Sequence, residues 1–403
     1  VLAVCAVLGL FACQESVEFR APLPEEAEPA LKEASELLHP AILPAHKLPW
    51  EDKVPGKADA ASDYREAHPQ WYAITEGPAG DVRPMKEWEP MQAMLLTYTN
   101  SIQYDEPVAQ TMVDTAVGAL EAGEVWVIYK TAAAKSNFIA RLAGEGISAG
   151  KIASLVKWYN MDNDSIWHID YGPFPLIHED DNTLAFADFK YYYQRYRDDA
   201  IPTRLGNMLG INTYRSQFDF EGGNFQADGE EFCYFGQRVY QYTGMSFSQV
   251  EDLMQEYYGC KKAVVLKDIT DDGTGHIDML FKLCGKHCAI VGDYTVVNDP
   301  VNKARMDDNA DKLEALEYSD GSPGITVWRL PFPNKYQNTP RTFLNSTLIT
   351  SADGSYKVNL WPMYTVDKDL EAEALQVWEE AMPDWDHVGV VSDKISLYSG
   401  AVH

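Results

Sequence analysis

A histidine and an aspartate two positions apart are the first candidates for acid–base chemistry in this sequence. They lie in the motif Gly275-His276-Ile277-Asp278, and residues two apart on an extended strand point to the same side. A histidine can accept and donate protons near neutral pH, and an aspartate beside it can hold charge and orientation. The pattern predicts proton transfer beside a bound cation. A hydrogen-bonded surface pair and a metal site remain open, because the motif is short.

A second carboxylate stands between an aromatic residue and a Gly-Pro turn. Asp170 lies in the motif Trp167-His168-Ile169-Asp170-Tyr171-Gly172-Pro173, and such a turn can hold the backbone at the rim of a pocket. An aromatic face together with a carboxylate suits a guanidinium, which stacks on rings and presents a planar fork of donors. The motif indicates a guanidinium site, and a strand that ends in a polar turn is the alternative.

Two adjacent glycines follow an alternating stretch in the motif Glu221-Gly222-Gly223-Asn224. Neither glycine carries a Cβ, so the chain can turn tightly and its backbone can approach a ligand or a neighbouring strand. A plain hairpin explains the same residues. The motif therefore predicts a tight turn, and the sequence leaves its partner open.

Two arginines, Arg195 and Arg197, stand one residue apart in an otherwise acidic chain. If this stretch is extended, both guanidinium groups can converge on one carboxylate through bidentate hydrogen bonds. The alternative is a solvated surface on which they pair with Asp198 and Asp199.

These side chains need a scaffold, and the rest of the chain predicts alternating strands and helices. Apolar runs predict strands over residues 94–98, 125–129, 184–189, 263–266, 289–291, 325–329 and 344–349. Helical spacing predicts helices over residues 107–122, 136–145, 248–257 and 370–381. The alternation predicts an α/β fold, but it does not separate a doubly wound sheet from a ring of small repeated units.

The composition is that of an acidic protein with a large core. Of 403 residues 46% are apolar, and 61 acidic against 33 basic side chains give a formal net charge of -28. Such a charge repels phosphate backbones and attracts cationic ligands, which argues against nucleic acid as a partner. Solubility alone also explains the acidity.

Four cysteines lie beyond the N-terminal leader: Cys233, Cys260, Cys284 and Cys288. Four cysteines allow three disulfide pairings, and the sequence does not choose between them. Cys284 and Cys288 with His287 form part of a zinc pattern, but no second close pair stands nearby to complete it. No metal is predicted.

The N-terminal residues predict export. Residues 1–12 form an apolar run that is too short to span a bilayer and is typical of a secretory signal. Leu10-Phe11-Ala12-Cys13 resembles the lipobox of bacterial lipoproteins, which predicts a signal peptide over residues 1–13 and lipidation at Cys13. Residues 14–65 are rich in Pro, Glu and Ala, which predicts a tether with one short helix near residues 30–38. The expected location is periplasmic, extracellular or on the outer membrane, with the lipid as the only membrane contact.

Taken in order, the motifs resemble the agmatine deiminase and bacterial (Porphyromonas-type) peptidylarginine deiminase family. The resemblance begins at Arg83-Pro84-Met85-Lys86-Glu87-Trp88-Glu89-Pro90-Met91 and ends with the Gly-x-x-His formed by Gly400 and His403. It implies a catalytic domain over residues 66–403 with a pentein fold, an α/β propeller of five ββαβ units around a central site. It also implies hydrolysis of a guanidinium to a ureido group with release of ammonia, without a cofactor.

The resemblance implies a role for each motif residue. Asp170 and Asp278 clamp the guanidinium, His276 moves protons, and a cysteine directly after the Gly-x-x-His attacks the guanidinium carbon to form a covalent thiouronium. Substrate-binding positions are matched by Trp167, Arg195, Arg197 and Asn345. The remaining motif positions are Gly172, Glu221, Gly222, Gly223, Asn224, Gly400 and His403.

Two features depart from the family pattern. Ile169 stands where members commonly carry an arginine, which removes a charge that can orient Asp170. The sequence also ends at His403, where the cysteine is expected next. We expect the natural chain to extend beyond both ends of this sequence; the alternative is a pseudoenzyme that binds a guanidinium without turnover.

The two arginines decide the expected substrate. In the bacterial peptidylarginine deiminases a comparable Arg-x-Arg binds the α-carboxylate of a C-terminal arginine, so Arg195 and Arg197 favour arginine at peptide C-termini or free arginine. Agmatine, which has no carboxylate, is the alternative within the family. A metal-dependent hydrolase that uses His276 and Asp278 is the alternative from another class.

Overall fold

The computed structural model describes residues 42–48, 51–294, 299–337 and 339–403. The signal peptide, lipidation at Cys13, the short helix near residues 30–38 and most of the tether lie outside these ranges and stay predictions. None of the described helices is both long and apolar enough to cross a membrane.

The strands of the described residues form five separate small sheets. One sheet has four strands, in the spatial order β1 (Val82–Pro84), β5 (Phe174–His178), β6 (Leu184–Lys190) and β7 (Thr213–Asp219). The second contains β2 (Ala93–Tyr98), β3 (Glu124–Tyr129) and β4 (Val156–Asn160), and the third contains β8 (Phe225–Ala227), β9 (Phe232–Gly236) and β10 (Lys262–Leu266). The last two contain β11 (Phe281–Gly285), β12 (Cys288–Asp293) and β13 (Thr326–Pro331), and β14 (Thr347–Thr350), β15 (Lys357–Met363) and β16 (Asp386–Val391).

Four of these sheets repeat one unit, in which two antiparallel strands are followed by a helical crossover and a strand parallel to the second. The crossovers carry α6 (Ile201–Leu209), α7 (Arg238–Thr243) with α8 (Phe247–Tyr258), α9 (Pro300–Glu314) and α10 (Lys368–Ala381). The β2–β3–β4 sheet is parallel, and its connections carry α2 (Glu106–Ala122), α3 (Ala132–Gly144) and α4 (Ala149–Leu155). Two further helices are α1 (Lys57–Ala67) and α5 (His168–Tyr171). This is the ββαβ repeat that the resemblance implies, and it favours small repeated units over a doubly wound sheet.

Helix α2 packs the last unit against the β2–β3–β4 sheet. Its buried Val113 belongs to the same apolar cluster as Val127 of β3 and Leu360 of β15. The approach is close at Gly118, where a Cβ would lie 2.4 Å from Leu360 Cδ2. The end of the chain is thereby brought back beside its first strands, as a closed arrangement of units requires.

Of the eleven strands and helices predicted within the described residues, ten are observed with similar bounds. The exception is the strand predicted over residues 344–349, of which only β14 from Thr347 forms. Asn345 and its neighbours turn toward the interior instead, where the Asn345 side chain accepts hydrogen bonds from the chain end. Short strands such as β1 and β8 were not predicted, because three residues are too few to establish a period.

The predicted tether boundary at residue 65 is wrong for the part that the structure describes. Ile42 and Ala45 are buried in the core, Glu51 is fully buried, and α1 begins at Lys57. The proline-rich composition predicted an unstructured segment. In the structure the segment is ordered by a residue distant in the sequence, because Arg195 donates hydrogen bonds to its backbone carbonyls. The folded domain therefore includes residue 42, well upstream of residue 66.

The structure selects one of the three possible disulfide pairings. Cys233 in β9 bonds Cys260, which lies just before β10, across 27 residues. Cys284 and Cys288 close the hairpin between β11 and β12 across 4 residues. Because the sulfurs of Cys284 and Cys288 bond each other, they are not ligands of the zinc pattern considered from sequence.

The two disulfides are expected to differ in their contribution to stability. Replacing both Cys233 and Cys260 with alanine should lower the free energy of unfolding by about 3.5 kcal/mol, against about 2 kcal/mol for the Cys284 and Cys288 pair, because the longer loop loses more entropy when closed. Urea unfolding of the two double variants measures the difference. Equal losses would contradict a chain-entropy origin.

Candidate active site

The predicted site residues lie at the start of successive repeat units. Asp170 lies shortly before β5, Gly223 before β8, Asp278 before β11 and Asn345 before β14. Each unit therefore contributes the residues that lead into its first strand. Because the repeats place these entry points at a common centre, residues far apart in the chain come together there.

The two glycines of the Glu-Gly-Gly-Asn motif allow close packing around Asp170. The backbone N–H of Gly223 donates to Asp170 Oδ1 at 3.2 Å. A Cβ on Gly223 would lie 2.4 Å from His276 Nδ1, and a Cβ on Gly222 would lie 2.0 Å from the Ile169 carbonyl oxygen. The tight turn predicted here is present, and its partners are site residues.

His276 is buried between two carboxylates. Its Nε2 lies 2.5 Å from Glu221 Oε2, and its Nδ1 lies 3.7 Å from Asp170 Oδ1. Burial lowers the pKa of His276, but the charges of Asp170 and Glu221 outweigh it and raise that pKa to about 10. The imidazole is therefore protonated at neutral pH and can donate a proton to a departing group.

Asp278 faces the end of the chain. Its Oδ2 lies 2.9 Å from His403 Nδ1. Burial, with nearby Lys282, lowers the pKa of His403 to about 3, so this imidazole is neutral, and Nδ1 donates to the carboxylate when Asp278 is ionised. The Asn345 Oδ1 accepts from the backbone N–H groups of Ala401 at 2.9 Å and His403 at 3.2 Å. Asn345 thus fixes the Gly-x-x-His turn beside Asp278.

Two buried carboxylate oxygens of this cluster have no hydrogen-bond partner among the described residues: Asp170 Oδ2 and Asp278 Oδ1. The two aspartates are 1% and 2% exposed. Burial raises the pKa of each to about 7, and His276 partly offsets this rise. Unpaired buried carboxylate oxygens are costly, so the cluster is complementary to a cation that brings hydrogen-bond donors with it.

Trp167 and the last turn pack against each other. Trp167 is 4% exposed, and its Nε1 donates to the Leu43 carbonyl at 2.8 Å. A Cβ on Gly400 would lie 2.3 Å from Trp167 Cζ3. Gly172 has a φ of 83°, a conformation that favours glycine, as the predicted turn requires. The substrate-binding role of Trp167 stays a prediction, while the packing of Trp167 against Gly400 is a structural contact.

Asn224 supports the turn from behind, because its Oδ1 accepts from the Gly236 N–H at 2.7 Å. His276 and Asp278 are not on a strand, as the spacing predicted, but flank the start of a 3-10 helix over Ile277–Met279. Asp272 Oδ2 accepts from the Gly275 N–H at 2.7 Å and so initiates this turn. Both side chains nevertheless join the same buried cluster.

The two arginines do not converge on one carboxylate. Arg195 pairs with Glu51, at 2.9 Å between Nη2 and Oε1, and Arg197 pairs with Asp164, at 2.6 Å between Nη1 and Oδ1. Residues 195–197 lie in turns, not in an extended stretch, so the two side chains diverge. Neither arginine uses Asp198 or Asp199, which were the alternative partners.

Sequence reasoning missed two groups that support Asp278. Lys282 is fully buried, 2.6 Å from Glu87 Oε1, and its charge acts to lower the pKa of Asp278. Glu87 also accepts from the Leu348 N–H at 2.9 Å and lies 3.9 Å from His403 Nε2. Glu87 lies in the motif Arg83–Met91, where the family resemblance begins, so the sequence could have indicated it as a site residue. No motif in the sequence indicates Lys282.

A third histidine reaches the cluster from upstream. His46 is buried, and its Nδ1 lies 3.1 Å from Ser399 Oγ. Burial lowers its pKa to about 4, so it is neutral. It lies in the segment that composition had assigned to the tether, so no sequence pattern pointed to it.

Within the described ranges, all four cysteines are in disulfides and no group of three or more His, Cys, Asp or Glu side chains is arranged to hold a metal ion. The alternative of a metal-dependent hydrolase stays a question for a chelator assay.

Comparison of the sequence with known proteins identifies the family to which it is similar. The sequence profile of the Porphyromonas-type peptidyl-arginine deiminases matches residues 83–403. A protein of Vibrio parahaemolyticus that is named putative agmatine deiminase is 21% identical over 271 residues, which is 60% of this chain and 74% of that protein.

Solved structures show the same fold. The agmatine deiminase of Enterococcus faecalis superposes with a TM-score of 0.66 at 18% identity, over 81% of this chain and 96% of that one. An agmatine deiminase of C. jejuni with substrate bound superposes with a TM-score of 0.65 at 18% identity, over 79% of this chain and 93% of that one. At these identities the likeness establishes the pentein α/β fold, and the five small sheets agree with it.

Proposed function

We propose a substrate and a mechanism from the premise that this chain belongs to the Porphyromonas-type peptidyl-arginine deiminase family. Membership makes the protein a hydrolase that acts on the C–N bonds of guanidino groups. The proposed reaction converts a small cationic guanidino compound to the ureido compound and ammonia, with agmatine as the preferred substrate. Arginine and peptides that end in arginine are the competing substrates.

One observation carries the proposal. Asp170 and Asp278 each keep one buried oxygen without a partner among the described residues, and a guanidinium presents N–H donors on more than one edge. Two carboxylates can therefore hold the cation in one plane and neutralise it. The formal net charge of -28 also favours the approach of a cation.

The proposed mechanism assigns each proton. A cysteine directly after the Gly-x-x-His, expected in the natural chain, attacks the guanidinium carbon as a thiolate and forms a C–S bond. Protonated His276 gives its proton to the departing nitrogen, the C–N bond breaks and ammonia leaves. Water then attacks the thiouronium carbon, and neutral His276 accepts one of its two protons. The C–S bond breaks to release the thiolate and the protonated ureido product, which loses the second proton to solvent, where ammonia takes it up as ammonium.

The choice of agmatine rests on the two arginines. Glu51 occupies the fork of Arg195, and Asp164 occupies Arg197. A substrate carboxylate therefore finds neither guanidinium unpaired, which removes the reason to prefer arginine that the sequence suggested. The relative from V. parahaemolyticus, named putative agmatine deiminase, supports the same choice.

Agmatine is expected to be hydrolysed with a kcat/KM at least about tenfold above that of L-arginine or of a peptide ending in arginine, since a carboxylate desolvated without a partner costs about 1–3 kcal/mol or more. Ammonia release from the protein with its natural C-terminus measures all three. Thermal stabilisation by agmatine but not by 1,4-diaminobutane tests guanidinium binding separately.

Faster turnover of arginine would contradict the proposed substrate. Stabilisation by agmatine without ammonia release would instead favour the non-catalytic guanidinium-binding protein. Activity lost to a chelator and retained after thiol alkylation would favour the metal-dependent hydrolase.

A further inference from the structure

A segment upstream of the family-matched residues packs onto the candidate active site. Residues 42–48 and 51–53, which we call the N-terminal strap, precede the matched range of 83–403. The Leu43 carbonyl accepts from Trp167, and the Ala45 N–H donates to the Tyr398 carbonyl at 2.8 Å. The strap is thus fixed beside the turn that carries His403.

Arg195 holds the strap in place. Its guanidinium is fully buried and makes six hydrogen bonds, of which five go to the strap. Three of these five go to the carbonyl oxygens of residues 44, 45 and 46, at 2.8 to 3.2 Å. The other two go to the Glu51 carboxylate, at 3.2 Å from Nε and 2.9 Å from Nη2. Glu51 therefore binds Arg195 as a bidentate partner, the geometry that a free carboxylate ligand would adopt.

Arg195 lies one side chain away from the catalytic cluster. Its sixth hydrogen bond, at 3.0 Å, goes to the hydroxyl of Tyr191, whose ring packs on Tyr171, the neighbour of Asp170. On the strap side, the carbonyl of His46 accepts from Arg195 while its imidazole contacts Ser399 Oγ. A ligand tail that extended from the carboxylate cluster toward Arg195 would meet Glu51 and its segment.

Glu51 is the charge partner that Arg195 needs for burial. A fully buried guanidinium is stable only with an anion beside it, and one carboxylate satisfies its fork. While Glu51 supplies that anion, a second carboxylate would enter without a free partner and would be repelled by the first. Removing Glu51 leaves the position open to a carboxylate from solution or from a substrate.

We propose that Glu51 is a specificity-determining residue, an internal carboxylate that occupies Arg195 and so excludes substrates with a carboxylate at the end away from the guanidinium. This inference rests on the proposed function, since it assigns the reason why agmatine is preferred over arginine. It places part of the substrate specificity in residues that lie outside the family-matched region.

The test compares Glu51→Ala and Glu51→Gln with the unchanged protein, each with its natural C-terminus. The ratio of kcat/KM for L-arginine to that for agmatine is expected to rise about 10- to 100-fold in Glu51→Ala, the range of a charge-assisted hydrogen bond, chiefly through a lower KM for arginine. Glu51→Gln keeps the shape and loses the charge, so its ratio should rise less. Thermal stabilisation by L-arginine relative to agmatine should change in the same order.

Two controls isolate the Arg195 fork. Asp52→Asn changes the adjacent carboxylate, which pairs with Lys47 in solvent, and should leave the ratio unchanged. Glu51→Ala combined with Arg195→Met should return the ratio to that of the unchanged protein, since the cation that would receive the substrate carboxylate is gone. A gain that survived in the double variant would assign the effect to a looser strap and overturn the proposal.

An unchanged ratio in folded Glu51→Ala would also overturn it, and if that variant does not fold, the ratio in Glu51→Gln decides. Failure of the proposed function gives a different result. In that case the unchanged protein shows neither stabilisation by agmatine nor ammonia release, whatever residue occupies position 51.

Discussion

Replacing Asp278 with asparagine is expected to lower kcat/KM for the guanidino substrate by roughly 100- to 5,000-fold. The substitution keeps the shape of the side chain and removes the charge that faces the substrate cation. Breaking one buried charge pair costs about 3–5 kcal/mol, which corresponds to that range of rates. Steady-state ammonia release above pH 8, where both aspartates with pKa values of about 7 are ionised in the free protein, measures the loss.

The same variant is expected to keep or gain stability, which separates a functional role from a structural one. Burial raises the pKa of Asp278 from 3.8 to about 7, so the folded protein binds its proton more tightly than the unfolded chain between these values. The stability that this proton contributes is present below pH 3.8 and is lost as the pH rises to about 7. At pH 8 Asp278 is ionised, and burying its charge destabilises the folded protein. Asparagine has no charge to bury, so Asp278→Asn avoids this loss of stability.

Asp228 provides a matched control. It is also fully buried, and its Oδ2 also has no hydrogen-bond partner among the described residues, but its Oδ1 accepts from the backbone N–H groups of Glu230, Glu231 and Phe232 and so holds a turn. Asp228→Asn should lower the melting temperature and leave kcat/KM within about twofold, since the turn that Asp228 holds contains no residue of the carboxylate cluster. A loss of stability in Asp278→Asn that matched its loss of activity would contradict the assignment of Asp278 as a substrate clamp.

The motifs could be predicted from sequence because each one depends mainly on local residue types. Glycines in Glu221-Gly222-Gly223-Asn224 predicted a close backbone approach, and the structure places His276 and Asp170 against them. The order of the motifs along the chain corresponds to the order of the repeat units, so their convergence followed once a ring of units was implied. The extended geometry assumed for His276 and Asp278 was wrong, because Asp272 starts a turn there.

Properties that depend on distant partners were beyond the reach of the sequence. Arg195 looked like a free cation because nothing in the local pattern revealed that Glu51 would occupy it. The same holds for the ionisation of the site. Burial lowers the pKa of both His276 and His403. The carboxylates around His276 reverse this and raise its pKa to about 10, whereas the charge of Lys282 adds to the effect of burial and the pKa of His403 falls to about 3. The burial of the N-terminal strap could not be predicted from composition either, because it results from contacts with distant residues and not from the apolar content of the strap itself.

Substrate binding is expected to complete the charge balance of the site. Without a ligand, the cluster holds Asp170, Glu221 and Asp278 against one protonated imidazole, and two carboxylate oxygens have no partner among the described residues. A bound guanidinium supplies the missing positive charge together with directional donors. The site is therefore organised for the cation before it arrives, at a cost to the stability of the ligand-free protein.

Replacing His276 with glutamine is expected to lower kcat by roughly 100- to 10,000-fold, the range for removal of a general acid and base. Glutamine preserves a hydrogen bond to Glu221 but cannot carry the proton. In the unchanged protein, kcat/KM should rise through pH 7, as Asp170 and Asp278 ionise, and fall near pH 10, as His276 loses its proton. Because kcat/KM reports the free enzyme, these limbs follow the pKa values of the ligand-free site.

The alkaline limb distinguishes proton transfer by His276 from a merely structural role. The residual activity of His276→Gln should lose the fall near pH 10, since the group that titrates there has been removed. Its acid limb should move above pH 7, because the His276 charge no longer lowers the pKa values of Asp170 and Asp278. His68, which stacks on Trp71 with ring centroids 4.0 Å apart, offers a control outside the cluster, and His68→Gln should keep both limbs. An alkaline limb that persisted in His276→Gln would assign the titration to another group, and proton donation would then have to come from a residue other than His276.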